Sequence, residues 1–175
     1  MSTQTKSPTL VTAEAPGVAW TNSSDVLVNN STGGSVTLGG TATSSDILFC
    51  NSCGFSLPAG STLNSINVSF SGRASAGGDV TLILSPGYGF FLSSTVILTI
   101  TSSSWATYTS PSGFGGWVDP PTVATLDSNG FGVAVRANYS GSSSLIEIDW
   151  VEITIDFTPP MGGGVQTSPI ILLLS

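Results

Sequence analysis

The last third of the chain sets the strongest constraint. In Phe131-Gly132-Val133-Ala134-Val135-Arg136, and again from Ile146 to Phe157, apolar and polar residues alternate. Successive side chains of a β-strand point to opposite faces, so Val133 and Val135 share one face while Ala134 and Arg136 share the other. Strands of this kind are half-buried, with one face on a core and one in water, which points to antiparallel sheets packed against each other.

Short strands are expected at intervals of about ten residues, over 24–28, 35–38, 46–50, 62–71, 79–85, 94–100, 105–109, 130–138 and 145–157, with Gly and Ser between them. No segment of ten residues or more keeps a helical period. Ile66, Val68 and Phe70 fall on one face, as do Val80, Leu82 and Leu84, and these are the expected core. In the last strand the apolar parity changes: Ile146, Ile148 and Trp150 are even, Val151, Ile153, Ile155 and Phe157 odd. One extra residue near Asp149-Trp150 produces that switch, as a β-bulge or a crossover between sheets; otherwise Trp150 lies outside, in an interface. The fold class is therefore all-β: an antiparallel, jelly-roll-like β-sandwich over 18–158. An extended N-terminal arm (1–17) precedes it and a Gly-linked apolar C-terminal arm (159–175) follows.

Composition narrows the function. At 175 residues the chain can form one domain with a real core. Only 7% of residues are charged, and the net charge of −7 comes from ten carboxylates against Lys6, Arg73 and Arg136. Nucleic acid and anionic membranes are disfavoured as partners, because phosphate binding needs clustered Lys and Arg. No run reaches the ~18 apolar residues of a spanning helix. Residues 1–20 hold no continuous apolar stretch like that of a secretion signal, so synthesis in a cytoplasm is expected.

Catalytic chemistry finds few candidates. Without histidine a Ser-His-Asp triad is excluded and the commonest general base is missing. Neither a phosphate-binding GxxxxGK[ST] loop nor a GxGxxG turn is present. Cys50-Asn51-Ser52-Cys53 is a C-x-x-C; two unpaired structural thiols lead the reading, ahead of a local disulfide, then a metal half-site, with redox catalysis last. Glu147 and Asp149 stand about 7 Å apart on one strand face, at ~3.3 Å per residue. A carboxylate pair could serve glycoside hydrolysis, but a solvated acidic face explains the two more simply. Asp127-Ser128-Asn129-Gly130 reads as a turn before it reads as a calcium loop. No enzyme activity and no cofactor are expected.

Binding has better candidates. Pro86-Gly87-Tyr88-Gly89-Phe90-Phe91-Leu92 is unusually aromatic for a loop; Tyr88, Phe90 and Phe91 either meet a partner or fold back as a lid on the sandwich. Residues 110–121, with Phe114 and Trp117, carry the same ambiguity. After Gly162-Gly163-Gly164 come Val165 and the run Ile170, Ile171, Leu172, Leu173 and Leu174. An extended apolar segment of this kind can add to a neighbour's open sheet edge, and the alternative is that it packs on its own domain.

Three segments together resemble a known family. The run from Gly54-Phe55-Ser56-Leu57-Pro58-Ala59-Gly60 through Ser61-Thr62-Leu63-Asn64-Ser65-Ile66-Asn67-Val68 is similar to the GFSIPSGATITGIEV segment of tailed-bacteriophage virion structural proteins. Asn129-Gly130-Phe131-Gly132-Val133-Ala134-Val135-Arg136 resembles their NFGVALR strand, and the run from Ile148 to Phe157 their closing VDHVRITVYY. Order and spacing agree, with Trp105, Tyr108 and Trp117 where that pattern has its aromatic residues. The resemblance spans about residues 45–158 and departs at Cys50, Cys53, the low charge and the apolar tail. It implies a virion-located structural sandwich, as in capsid decoration or cement proteins, with no catalytic residue to carry over. Its partners would be other virion proteins, the major capsid protein or tail proteins, in a homo-oligomer with a trimer favoured. The alternative is a tail, baseplate or fibre protein, or a carbohydrate-binding module for a cell-surface glycan, with Tyr88, Trp105 or Trp117 as the stacking platform.

Overall fold

The computed structural model describes residues 1–86, 95–111 and 121–161. Within these residues ten strands form two five-stranded antiparallel sheets. In chain order they are β1 (Ser2–Lys6), β2 (Leu10–Glu14), β3 (Gly34–Leu38), β4 (Ile47–Asn51), β5 (Thr62–Ala74), β6 (Gly78–Ser85), β7 (Val96–Ile100), β8 (Ala106–Thr109), β9 (Gly132–Asn138) and β10 (Ser144–Thr158), with one short helix, α1 (Val123–Leu126), before β9. Sheet A runs β1-β10-β5-β8, with β3 also paired to β10; sheet B runs β2-β4-β9-β6-β7. The all-β sandwich expected from the alternation is the observed fold.

The core lies between the sheets. Ile66, Val68 and Phe70 of β5 and Val80, Leu82 and Leu84 of β6 are fully buried, as their parity requires. From the other strands come Leu48, Cys50, Val133, Val135, Ile146, Ile148, Val151, Ile153 and Ile155. Thr122 caps α1, its Oγ1 accepting the Thr125 N–H at 3.2 Å, an N-terminal arrangement that satisfies a donor the helix cannot pair.

The parity switch in β10 is a bulge. Ile148 pairs with Gly72 and Val151 with Phe70, so Asp149 and Trp150 together face the single residue Ser71. The extra residue rotates the strand, turning odd positions inward from Val151 onward. Asp149 is buried there, and its Oδ1 accepts the Asn30 backbone N–H at 3.1 Å. The N–H it satisfies belongs to the loop before β3 rather than to the bulge itself. Trp150 is half-buried on the outer side, its backbone bridged to Leu27.

Several expectations need correction. Residues 24–28 do not form a strand: Ser23–Val26 is a 3₁₀ turn closed by Asp25 N–H to Asn22 O and Leu27 N–H to Ser24 O. Val26, Leu27 and Val28 are consecutive apolar residues, not an alternating set, and only Val26 is driven fully inside. Segment 1–17, expected as an arm, pairs within the domain: β1 lies along residues 153–157 of β10, and β2 along β4. The expected solvated face of β9 is also not uniformly wet, since Ala134, on the side opposite the core, is buried. Its neighbours across the sheet are Phe49 and Ile83, which make that outer surface apolar.

Candidate functional site

The carboxylates that could have formed a catalytic pair serve structure. Arg73 Nε donates to Glu147 Oε2 at 2.6 Å and Arg73 Nη2 to Oε1 at 3.1 Å, a two-pronged ion pair across β5 and β10. The same guanidinium lies 4.6 Å from the ring centre of Trp105. Asp149 lies in the bulge and is committed to Asn30 while Glu147 is paired with Arg73, so these two acids do not face each other across a cleft. Asp156 accepts hydroxyl hydrogens from Thr3 (2.7 Å) and Ser65 (2.8 Å), and these bonds hold its carboxyl below the ordinary range. Asp127 Oδ1 accepts the Leu57 N–H at 3.1 Å, and Phe131 N–H closes the 128–131 turn on Ser128 O. Among the described residues no group of three metal-ligating side chains converges.

The two cysteines are unpaired and buried. Cys50 points into the core from β4, and the Cys53 Sγ faces Phe131 O at 3.8 Å. Burial pushes both thiols up to about 12, with the neighbouring Cys53 adding to the effect on Cys50. A thiol so far from ionisation at neutral pH is a poor nucleophile.

Two shallow polar cavities, of about 610 and 230 Å³, meet at residues 138–140 where β9 ends. Asp79, Asn138, Tyr139 and Ser140 line both. The polar groups are held in place: Thr99 Oγ1 donates to Asp79 Oδ1 at 2.7 Å, Asn138 Nδ2 to Thr81 Oγ1 at 2.9 Å, and Ser44 Oγ to Asn138 Oδ1 at 3.1 Å. Tyr139 is half-buried and its ring lies over Gly141, where an added methyl carbon would stand 2.2 Å from the tyrosine oxygen. The arrangement presents an aromatic ring among hydroxyls, an amide and a carboxylate. A further cavity of about 590 Å³ opens at another part of the sandwich, with Leu57, Leu63, Val123, Leu126 and Phe157 in its mainly apolar wall.

The outer faces of the sheets differ. Sheet A presents Ser65, Ser69 and Arg73 beside Glu147, Glu152, Thr154 and Asp156, with Thr107 and Thr109 on β8 and the exposed Leu145 at the start of β10. The outer face of sheet B carries Leu10, Ile47, Phe49, Ala134, Ile83 and Ile97 among Thr12, Glu14, Asn51, Asp79, Thr81, Thr99, Arg136 and Asn138, and of its apolar members Phe49 and Ala134 are already buried. Leu10 is 50% and Ile97 61% exposed.

The partner-binding residues expected from sequence, Tyr88, Phe90, Phe91, Trp117, Val165, Ile170, Ile171, Leu172, Leu173 and Leu174, lie outside the described residues. Trp105 is half-buried beside Arg73 and lines none of the cavities above. Tyr139 was not singled out by the sequence; its neighbours come from distant strands, and the only local signal is the Tyr-Ser-Gly that follows β9.

No protein-family profile matches the chain, and no curated protein is similar to it. Similar solved structures include one described as "CBM4 structure and function", 12% identical with a TM-score of 0.43, covering 75% of this chain and 87% of the other. Another is the CBM36-1 domain of a multidomain xylanase from the hindgut metagenome of Trinervitermes trinervoides, 15% identical, TM-score 0.44, covering 89% and 97%. A third is TmCBM61 in complex with beta-1,4-galactotriose, 15% identical, TM-score 0.42, covering 82% and 86%. The sandwich architecture of this chain rests on its own strand pairing.

Proposed function

We propose that this chain is a non-catalytic binding subunit of a tailed-bacteriophage virion, a sandwich that decorates or cements the capsid through protein contacts. The observation that carries the reading is the apolar patch of Ile47, Ile83 and Ile97 on the otherwise mixed outer face of sheet B. Ile97, 61% exposed, and half-buried Ile47 and Ile83 suit a surface covered by another protein. The resemblance of residues 45–158 to virion structural proteins supplies the location. The test is gradient purification of phage particles from a lysate that contains the chain. The chain is expected to travel with the particles, and Ile83→Lys to lower its copy number; a chain left wholly in the soluble fraction overturns the reading.

A second reading, glycan recognition, is favoured by one observation, the polar cavities around Tyr139. An aromatic ring can stack on the apolar face of a sugar while Asp79 and Asn138 take its hydroxyls. Migration in native gels cast with soluble polysaccharides tests it. Retardation that Tyr139→Ala removes supports the reading, and unchanged migration across a panel of glucans, galactans and xylans counts against it.

A further inference from the structure

We propose that the open edge of β7 is a strand-addition site, and that its occupant is the apolar C-terminal segment, residues 170–174, of a second copy of this chain. The inference deepens the reading that the subunit works through protein contacts, and rests on it for its biological setting.

The edges of the two sheets are not equivalent. An edge strand offers unpaired N–H and C=O groups, and proteins normally blunt such edges with charge, proline, shortness or a bulge. In sheet A, β8 has only four residues, β1 ends on Lys6, two residues before Pro8, and the outer side of β3 is closed by Thr21, which exchanges both backbone hydrogen bonds with Ser35. In sheet B, β2 ends on Glu14 and lies between Pro8 and Pro16. By contrast β7, Val96-Ile97-Leu98-Thr99-Ile100, has no charge and no proline, and its register with β6 is unbroken over all five residues. Among the described residues β6 is its sole strand partner.

The proposed occupant matches in length and chemistry. Residues 170–174 are five consecutive apolar residues, as long as β7, and no charged side chain occurs from Val165 to Ser175. Main-chain hydrogen bonds would supply affinity, and alternate side chains would extend the apolar patch beside Ile97.

Direction favours a second copy over the chain's own tail. Gly78, at the start of β6, lies against Ile146, near the start of β10. Strand β6 therefore runs away from that end, and β7, antiparallel to it, begins toward the far end, where β10 finishes. A tail leaving β10 and laid directly on its own β7 would run parallel to it, and to lie antiparallel its connection over 159–169 would first have to run back the length of the strand. Every strand pair within the two sheets is antiparallel, and antiparallel pairing is the slightly more stable mode per residue. A second copy can present its segment in the opposite direction.

The test uses the full chain, with mass by light scattering across a dilution series and hydrogen exchange of the β7 amides. The chain is expected to associate into multiples of 17.7 kDa, and its β7 amides to exchange at least about tenfold more slowly in the associated form. Leu172→Asp in the tail and Ile97→Lys at the edge should each return the mass to one chain; Ile97 is exposed enough for lysine to leave the core intact. Association that survives Leu172→Asp, or a single-chain mass at every concentration, overturns the inference. So does β7 protection that persists on full dilution, which would put the segment on its own domain. Particle association is read separately, so a chain that assembles through β7 yet stays off particles refutes the virion setting and not the edge.

Discussion

The buried thiols allow a quantitative test of the claim that the C-x-x-C is structural. Both groups move from an ordinary value of 9.0 to about 12. At pH 8 a thiol of pKa 9 is roughly one-tenth thiolate, whereas one of pKa 12 is about one part in ten thousand, so ionisation alone slows attack on a disulfide reagent about a thousandfold. Ellman's reagent should therefore label both cysteines at once in denaturant and neither on the same timescale in the folded protein. Stability carries the matching signature. Between pH 9 and 12 the folded state holds two protons that the unfolded state releases, so stability is intact below pH 9 and falls as pH rises through that window. The fall is on the order of 1 kcal/mol per pH unit for each thiol. Urea titrations at pH 8, 9 and 10 should show the midpoint dropping, and a Cys50→Ala, Cys53→Ala double variant, less stable at pH 8, should lose much of that alkaline slope. Native labelling at the denatured rate, or rapid disulfide closure without unfolding, would refute the structural assignment.

Two further outcomes follow from close contacts. Gly132→Ala would place a methyl carbon 2.0 Å from the Cys50 carbonyl oxygen, and because that neighbour is backbone, β9 must move away from β4. A loss of about 3 kcal/mol is expected in urea denaturation, and a loss below about 1 kcal/mol would contradict so close an approach of the two strands. Asp149→Ala removes the acceptor of the Asn30 N–H and leaves a small buried void, for an expected loss of about 1–3 kcal/mol. Amide exchange at Asn30 should accelerate in that variant, and unchanged exchange would show that the bulge carboxylate does not hold the loop.

Legibility in the sequence tracked how each strand uses its two faces. The bulge at Asp149-Trp150 was readable because the apolar set on β10 is nearly pure, so one inserted residue shows as a parity break. Strand β1 was not readable, although its inward positions are regular. Ser2 and Gln4 pair with Phe157 and Ile155, but they are polar, and Gln4 turns its amide to the loop, donating to Ser56 O at 2.6 Å and accepting from Ser56 N at 3.2 Å. A strand whose core positions are hydrogen-bonded rather than apolar leaves no period of two. The cavities around Tyr139 were hidden for a different reason: Thr43, Asp79, Thr99 and Asn138 come together only through strand pairing.

The same reasoning bears on the surface proposed for docking. Alternation shows which side of a strand faces the core, but a strand with apolar residues on both sides carries a second message. Leu48-Phe49-Cys50, Leu82-Ile83-Leu84, Val133-Ala134-Val135 and Val96-Ile97-Leu98 are unbroken apolar runs, and all four lie in sheet B. The alternating runs Ile66-Asn67-Val68-Ser69-Phe70 and Ile153-Thr154-Ile155-Asp156-Phe157 lie in sheet A. A continuous apolar run marks a strand buried on both faces. Here one face is covered by sheet A, and on the other Phe49 and Ala134 are buried while Ile97 remains 61% exposed. The middle strands of sheet B are thus covered on both faces, and the apolar surface left for a second protein lies at β7, around Ile97.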